Sequence, residues 1–273
     1  MRSQADQLAV ARLRAVHEEH QFYGVRRLAL RLGWSENKTR RIRTLAGIVI
    51  PSASKKHRTR RGGKPEIAAP PNILQRYAVF KNEARPRDGM DYGRMADSGG
   101  WVQDFTYLKF QGAWYYLAVV LDLKTRQVAG WRLGARHSSE LTYEALLDAL
   151  SKHLPPTILH SDQGSEYLSY KHQLLCGKLE IILSCSAKSS PWQNGFMERF
   201  FGSFKQELGS LSHFEDLSRP FEAIALQIHY YNTKRIHTAL QTTPAAYAAR
   251  LHKSPDRVFT EKGMPYQKLC NGV

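Results

Sequence analysis

Cysteine is scarce in this 273-residue chain. The three present, Cys176, Cys185 and Cys270, are too few and too widely spaced for a disulfide framework or a CxxC metal knuckle. They read as reduced, structural residues. Long apolar runs are also missing: no stretch of 18 or more apolar residues occurs, which excludes a membrane-spanning helix. The opening MRSQADQLAVARLRAVHEEH lacks an uninterrupted apolar segment, so no secretory leader is expected and the cytoplasm is the expected compartment. Acidic residues are in short supply, with 24 Asp and Glu against 40 Lys and Arg, a formal net charge of +16. That excess calls for a polyanionic partner, nucleic acid before an anionic membrane, because no basic helix also carries a strong apolar face. The charge is uneven. Residues 1–64 hold 16 basic against 4 acidic residues, and residues 65–273 hold 24 against 20. Solubility alone does not require a basic head on a nearly neutral body.

Apolar residues are present at ordinary abundance, and their spacing changes along the chain. Gly24 to Leu32 places Val25, Leu28, Ala29 and Leu32 at helical spacing. Gly33-Trp34 breaks the pattern, Ser35 is suited to cap a second helix, and Gly47 ends it. Two short helices around a tight turn fit a helix-turn-helix, whose second helix carries Lys38, Arg40, Arg41 and Arg43 as candidate DNA contacts. A helical hairpin with a merely solvated basic face fits equally well. Residues 51–72 are a Pro-, Ser- and Gly-containing linker with a basic cluster, KKHRTRR, at 55–61. From Trp101 onward, three aromatic and β-branched stretches form a strand meander. A helix over Ser139–His153, a strand ending at Asp162, a helix within SEYLSYKHQLLC and a strand LEIILS follow. Two further helices are expected over Asn194–Leu211 and Phe221–Tyr231. The order βββ-α-β-α-β-α-α specifies an α/β sheet completed through helical crossovers.

Three carboxylates stand out on this frame. Asp104 lies within the first strand, on the face of Val102, Thr106 and Leu108. Asp162 ends the fourth strand, where α/β sheets bind ligands. Glu198 lies early in the long helix, and Asn194 and Lys205, at −4 and +7, share its face. Buried acids are costly without partners. Divalent ions that catalyse phosphodiester chemistry take hard oxygen ligands, so this trio is the candidate catalytic and metal-binding set.

The interval between Asp162 and Glu198 is 35 residues. Such a triad, with Lys205 seven residues beyond its Glu, resembles the retroviral-integrase and insertion-sequence transposase superfamily of DDE recombinases. The phrases WVQDFTY, HSDQGSEY, NGFMERFFGSFK and YYNTKRIHTALQTTPAAY resemble the OrfB-type transposase of the IS-three-like group. So does the N-terminal FYGVRRLALRLG with NKTRRIRTLAGI. The resemblance covers nearly the whole chain. It implies a ribonuclease-H-like integrase core, with Asp104, Asp162 and Glu198 holding Mg2+ (Mn2+ substituting), and DNA cleavage and strand transfer at element ends. It also implies an OrfA-type partner or fusion portion, a homo-oligomer on double-stranded DNA, and residence with the nucleoid. No Cys precedes Cys176, so the zinc domain of retroviral integrases is not expected. The expected organisation is a helix-turn-helix domain at 1–50, a basic linker at 51–96, the catalytic core at 97–215 and a helical tail at 216–273.

Other residues have competing readings. Asp97 reads as a loop residue and Asp122 as a turn acid. Glu166 is a helix-start acid that stands close enough to Asp162 to tune the site. His160 faces the same side as Asp162, either positioning water or metal or simply hydrogen-bonded. Asn232, Arg235 and His237 read equally as a DNA contact or a structural latch. A catalytically silent DNA-binding relative and a plain ribonuclease H are the rival functions. The complete triad argues against the first and the basic N-terminus against the second.

Overall fold

The computed structural model describes residues 4–50, 69–74, 79–80, 90–91, 99–187 and 194–253. The basic cluster at 55–61, Asp97 and Cys270 lie outside the described residues. The described residues divide into two compact units, those within 1–61 and 229–251 and those within 62–228 and 252–273.

The first unit contains α1 (Gln4–Glu19), α2 (Val25–Leu32) and α3 (Glu36–Ala46). Gly33 takes the left-handed conformation that ends α2, at φ 68°. Two residues later the Ser35 hydroxyl accepts the Lys38 N–H at 3.2 Å, satisfying a donor that the start of α3 would leave orphaned. Gly47, also at φ 68°, ends α3. The expected helix-turn-helix elements are present, and α1 packs with them: Ala9, Val10 and Leu13 bury against Leu32, Ile42 and Ala46. Residues 229–251 belong to the same unit. Their anchor is Tyr23, 1% exposed, which packs with Leu28 and Ile236. Its hydroxyl donates to the Lys234 carbonyl at 3.3 Å and accepts the Ile236 N–H at 2.6 Å. A buried phenol needs such partners. His20 stacks on Tyr23 at 4.3 Å and bonds the Tyr230 hydroxyl at 2.8 Å. Arg235 is buried, with its guanidinium over the Tyr231 ring, and His237 forms an isolated bridge with Thr242. These contacts favour the latch reading of the tail phrase. One helix the sequence analysis did not derive, α8 (Pro244–Lys253), starts here; Thr243 caps the Ala246 N–H, and proline occupies the first helical position.

The second unit is built on a five-stranded sheet. A short antiparallel pair, β1 (Val79–Phe80) and β2 (Met90–Asp91), precedes it. Its elements are β3 (Gly100–Phe110), β4 (Ala113–Asp122), β5 (Val128–Gly134), α4 (Ser139–Leu150), β6 (Ile158–Ser161), α5 (Tyr170–Lys178), β7 (Ile182–Cys185), α6 (Gly195–Leu208) and the start of α7 (Ser218–Thr233), whose residues from His229 on belong to the first unit. The strand order is β5-β4-β3-β6-β7. The first three strands form the antiparallel meander, and β6 and β7 add in parallel through helical connections. Gln111 and Gly112, at φ 44° and 80°, make the two-residue β3–β4 turn, which needs positive φ at both positions to match strand twist. Within β4, Leu117 to Leu121 are all buried, so the strand is covered on both faces and reads as a continuous apolar run. Against this sheet α4 places Leu141, Ala145, Leu146 and Ala149, which join Trp101, Phe105, Ala118, Val120 and Leu159 in one core.

The element order agrees with the sequence analysis, but several boundaries move: α7 runs Ser218–Thr233 instead of Phe221–Tyr231, β6 ends at Ser161, one residue before Asp162, and three helices shift further. α4 stops at Leu150, before His153. The helix expected within SEYLSYKHQLLC begins only at Tyr170, because residues 165–168 form a turn and Ser169 is extended. Glu166 is therefore a buried turn residue rather than a helix-start acid. α6 ends at Leu208, where Gly209 turns the chain at φ 73°.

Candidate active site

The sheet sets two of the three carboxylates side by side. β3 and β6 run parallel with Gly100 against Ile158, Trp101 against Leu159 and Val102 against His160. Carried two residues further, this register brings Asp104 level with Asp162, just past the carboxyl end of β6. Both aspartates are half-buried. Asp104 Oδ1 accepts the Phe105 N–H at 2.8 Å, and Asp162 Oδ1 accepts the Gly164 N–H at 2.9 Å. Each carboxylate is thus oriented by the backbone beside it.

The third element enters through α6. Asn194, 5% exposed, sits at its N-cap and donates from Nδ2 to Asp104 Oδ2 at 3.4 Å. The Asn194 Oδ1 is buried without a hydrogen-bond partner. Glu198 is one helical turn beyond Asn194, in the first turn of α6, where the helix dipole favours a carboxylate. Unlike the two aspartates it is exposed, so it is not marked by the cost of burial that the sequence argument used. Lys205 follows two turns later in the last turn of α6. Met197, Phe200, Phe201 and Phe204 anchor the opposite side of this helix in the core. The Arg126 guanidinium, on the β4–β5 turn, lies 4.0 Å from the Phe196 ring centroid and steadies the helix start. Arg126 holds a left-handed φ of 62° in that turn, whose backbone N–H groups at Lys124 and Thr125 are accepted by Asp122 Oδ1. Asp122 is therefore the turn acid that its position indicated.

Among the described residues, no three His, Cys, Asp or Glu side chains already stand close enough to hold a metal ion. The oxygen donors nevertheless suit a hard divalent cation: two adjacent aspartates, an unsatisfied amide oxygen and a glutamate one turn away.

His160 is fully buried and bonded on both ring nitrogens, to Ser184 Oγ at 2.9 Å and Ser186 Oγ at 3.0 Å. Ser184 Oγ also accepts the Leu74 N–H, tying residues 69–74 to the sheet. Burial pushes the His160 pKa down to about 4, so the ring is neutral. These bonds support the hydrogen-bonded reading of His160 over a role with water or metal. Two contributors were missed: Arg126, whose only signal was a turn, and His137, which bonds Glu166.

The basic residues of α3 lie in the other unit. Arg41 forms a two-pronged pair with Asp6 at 2.8 Å, and Arg40 bonds Glu36 and Asn37. Lys38 lies over the Trp34 ring at 4.7 Å, and Arg43 is half-buried in the last turn.

Comparison with known proteins agrees with this architecture. The integrase core domain family matches residues 96–191, and a second family of the same description matches residues 179–244. The transposase for insertion sequence element IS904 of Lactococcus lactis subsp. lactis is 36% identical over 51% of this chain. That match covers 56% of the Lactococcus protein, so the chain spans little more than half of it. The InsK transposase for insertion sequence element IS150 of Escherichia coli is 31% identical over 85% of this chain and 79% of its own length. The HTLV-2 integrase catalytic core domain in complex with magnesium is 23% identical at a TM-score of 0.46, covering 55% of this chain and 95% of that one. The mixed sheet with its β3-β4-β5 meander and parallel β6 and β7 is a ribonuclease-H-like core. Among the described residues no helix is long and apolar enough to cross a membrane. By its integrase core and its match along most of InsK, the chain belongs to the insertion-sequence transposases of the IS-three type.

Proposed function

We propose that this chain is the catalytic subunit that cuts and joins DNA strands at the ends of an insertion sequence, with Asp104, Asp162 and Glu198 as its metal ligands. The observation that carries this reading is the β3–β6 register, paired through Val102 and His160, which leaves Asp104 and Asp162 each two residues beyond the last pair, with Asn194 joining Asp104 to the helix of Glu198. Mg2+, or Mn2+ in its place, would polarise the scissile phosphate and activate the attacking oxygen when bound there. The chain's own residues supply orientation. The Phe105 and Gly164 N–H groups fix the two aspartates, and the core-facing phenylalanines of α6 fix the helix that presents Glu198. Lys205, on the Glu198 face, would bind the phosphate backbone beside the cut.

Lys38, Arg40, Arg41 and Arg43 would contact DNA phosphates from α3, with the pairs to Glu36 and Asp6 exchanged for phosphate. Two element ends call for a homo-oligomer, and an OrfA-type portion would complete DNA recognition. The chain would act in the cytoplasm on nucleoid DNA, without structural zinc, through a helical DNA-binding head at 1–50, a linker at 51–96, a core at 97–215 and a tail at 216–273. Cleavage of a labelled duplex carrying the element's terminal repeat tests the reading. Asp104→Ala, Asp162→Ala and Glu198→Ala should each abolish nicking and keep DNA binding; nicking by all three variants would overturn the assignment.

A further inference from the structure

We infer that Glu166 and His137 form a positioning pair that holds both catalytic aspartates in register, an inference that rests on the metal-site reading above. Glu166 is 8% exposed, and its Oε1 accepts a hydrogen bond from His137 Nε2 at 2.9 Å. A carboxylate accepts only, so this bond places the imidazole proton on Nε2. The same carboxylate lies against Gly164: a Cβ there would stand 2.5 Å from Glu166 Oε1. Gly164 is the residue whose N–H orients Asp162. Thr142 Oγ1 donates to the Ser139 carbonyl at 3.0 Å and stands 3.4 Å from the Glu166 carbonyl, so the turn after Asp162 is held chiefly at the Glu166 side chain.

The other end of the pair reaches Asp104. The His137 ring lies over Phe105, with centroids 3.9 Å apart and planes at 31°, and Tyr116 flanks it at 5.6 Å. The Phe105 N–H orients Asp104. One imidazole therefore touches the neighbour of Asp104 and, through Glu166, the turn of Asp162. Groups bonded directly to a metal ligand are typically worth about 10–100-fold in affinity, and this pair acts one residue further out, so the lower end of that range, about 10-fold, is expected. His137 already occupies one carboxylate oxygen of Glu166, which argues for positioning over direct ligation.

Mn2+ binding to the full chain, read from the electron paramagnetic resonance of free Mn2+, tests the pair without an activity assay. Asp104→Asn should lose wild-type binding; if it binds Mn2+ as wild type does, the metal site itself is misassigned and the inference falls with it. Given that loss, Glu166→Ala and His137→Ala should each weaken binding by about 10-fold. The double variant should be no weaker than the worse single one, because both act through one contact. Glu166→Gln keeps an oxygen for His137 Nε2–H and should restore most of the affinity, which also shows that the fold tolerates the site. Gly164→Ala, which displaces the carboxylate from the other side, should match Glu166→Ala. Wild-type affinity in His137→Ala would overturn the inference, and Glu166→Gln as weak as Glu166→Ala would overturn it by making Glu166 a ligand instead.

Discussion

Gly130, in the middle of β5, allows α4 to lie directly on the sheet. A Cβ at this position would stand 2.5 Å from the Ala145 carbonyl oxygen and 2.8 Å from Ala149 Cα, and would also strike Ala149 N. These are helix backbone atoms, so no rotamer change relieves the clash. Ordinary contact begins near 3.4 Å, so α4 must retreat by about 1 Å. That retreat loosens Ala145, Leu146 and Ala149, all fully buried in the core beneath the site. Overpacking costs about 1–3 kcal/mol, and a backbone clash belongs at the top of that range. For a unit of this size Gly130→Ala should lower the melting temperature by about 6–12 °C at ~3 kcal/mol. Circular dichroism on heating measures this, with Gly177→Ala as the control. Gly177 lies within α5 with open space at its Cβ, and alanine there should be neutral or stabilise by up to about 1 kcal/mol. A melting temperature for Gly130→Ala within 1 °C (about the reading error) of wild type would refute the close-packing argument.

Ser35→Ala removes the α3 cap and should cost about 1 kcal/mol, seen as a lower melting temperature; an unchanged melting temperature counts against the cap. Burial holds the pKa of both His160 and His172 at about 4, below the ordinary 6.5. The unfolded chain then binds more protons between those values. Stability in urea should be full above pH 6.5 and fall as pH drops toward 4, and a flat profile there would contradict the burial. The Cys176 thiol, pushed up to about 12 by burial, and buried Cys185 should resist a thiol reagent at pH 8 until the chain unfolds. Arg43→Ala should weaken DNA binding and flatten its salt dependence by about one phosphate contact, while Arg41→Ala should also loosen the α1–α3 packing held by Asp6. Equal melting temperatures for those two variants would remove the distinction.

Much of the fold was legible because its elements carry strong local signals. The meander showed in aromatic and β-branched runs, and α3 showed in Ser35 and Gly47, which do cap it. The carboxylates were legible through their places on those elements. Spacing alone could not supply the neighbour relation of Asp104 and Asp162, which depends on strand register. Glu166 looked like a helix-start acid, since sequence does not show that the helix waits for Tyr170. Its partner His137 is 29 residues away, and such a pairing has no local pattern. The role of Tyr23 was equally hidden, because its hydroxyl binds a segment more than 200 residues distant.

Strand transfer is the most direct test of the central claim. A labelled oligonucleotide carrying the terminal repeat is incubated with Mg2+ and either wild-type protein or Glu198→Gln, with OrfA supplied. Joined product is expected from wild type alone, since the glutamine keeps the shape of the exposed side chain and loses its charge. Joined product from Glu198→Gln at the wild-type rate, or none from wild type even with Mn2+, would contradict that claim and favour a DNA-binding protein that retains the fold without the chemistry.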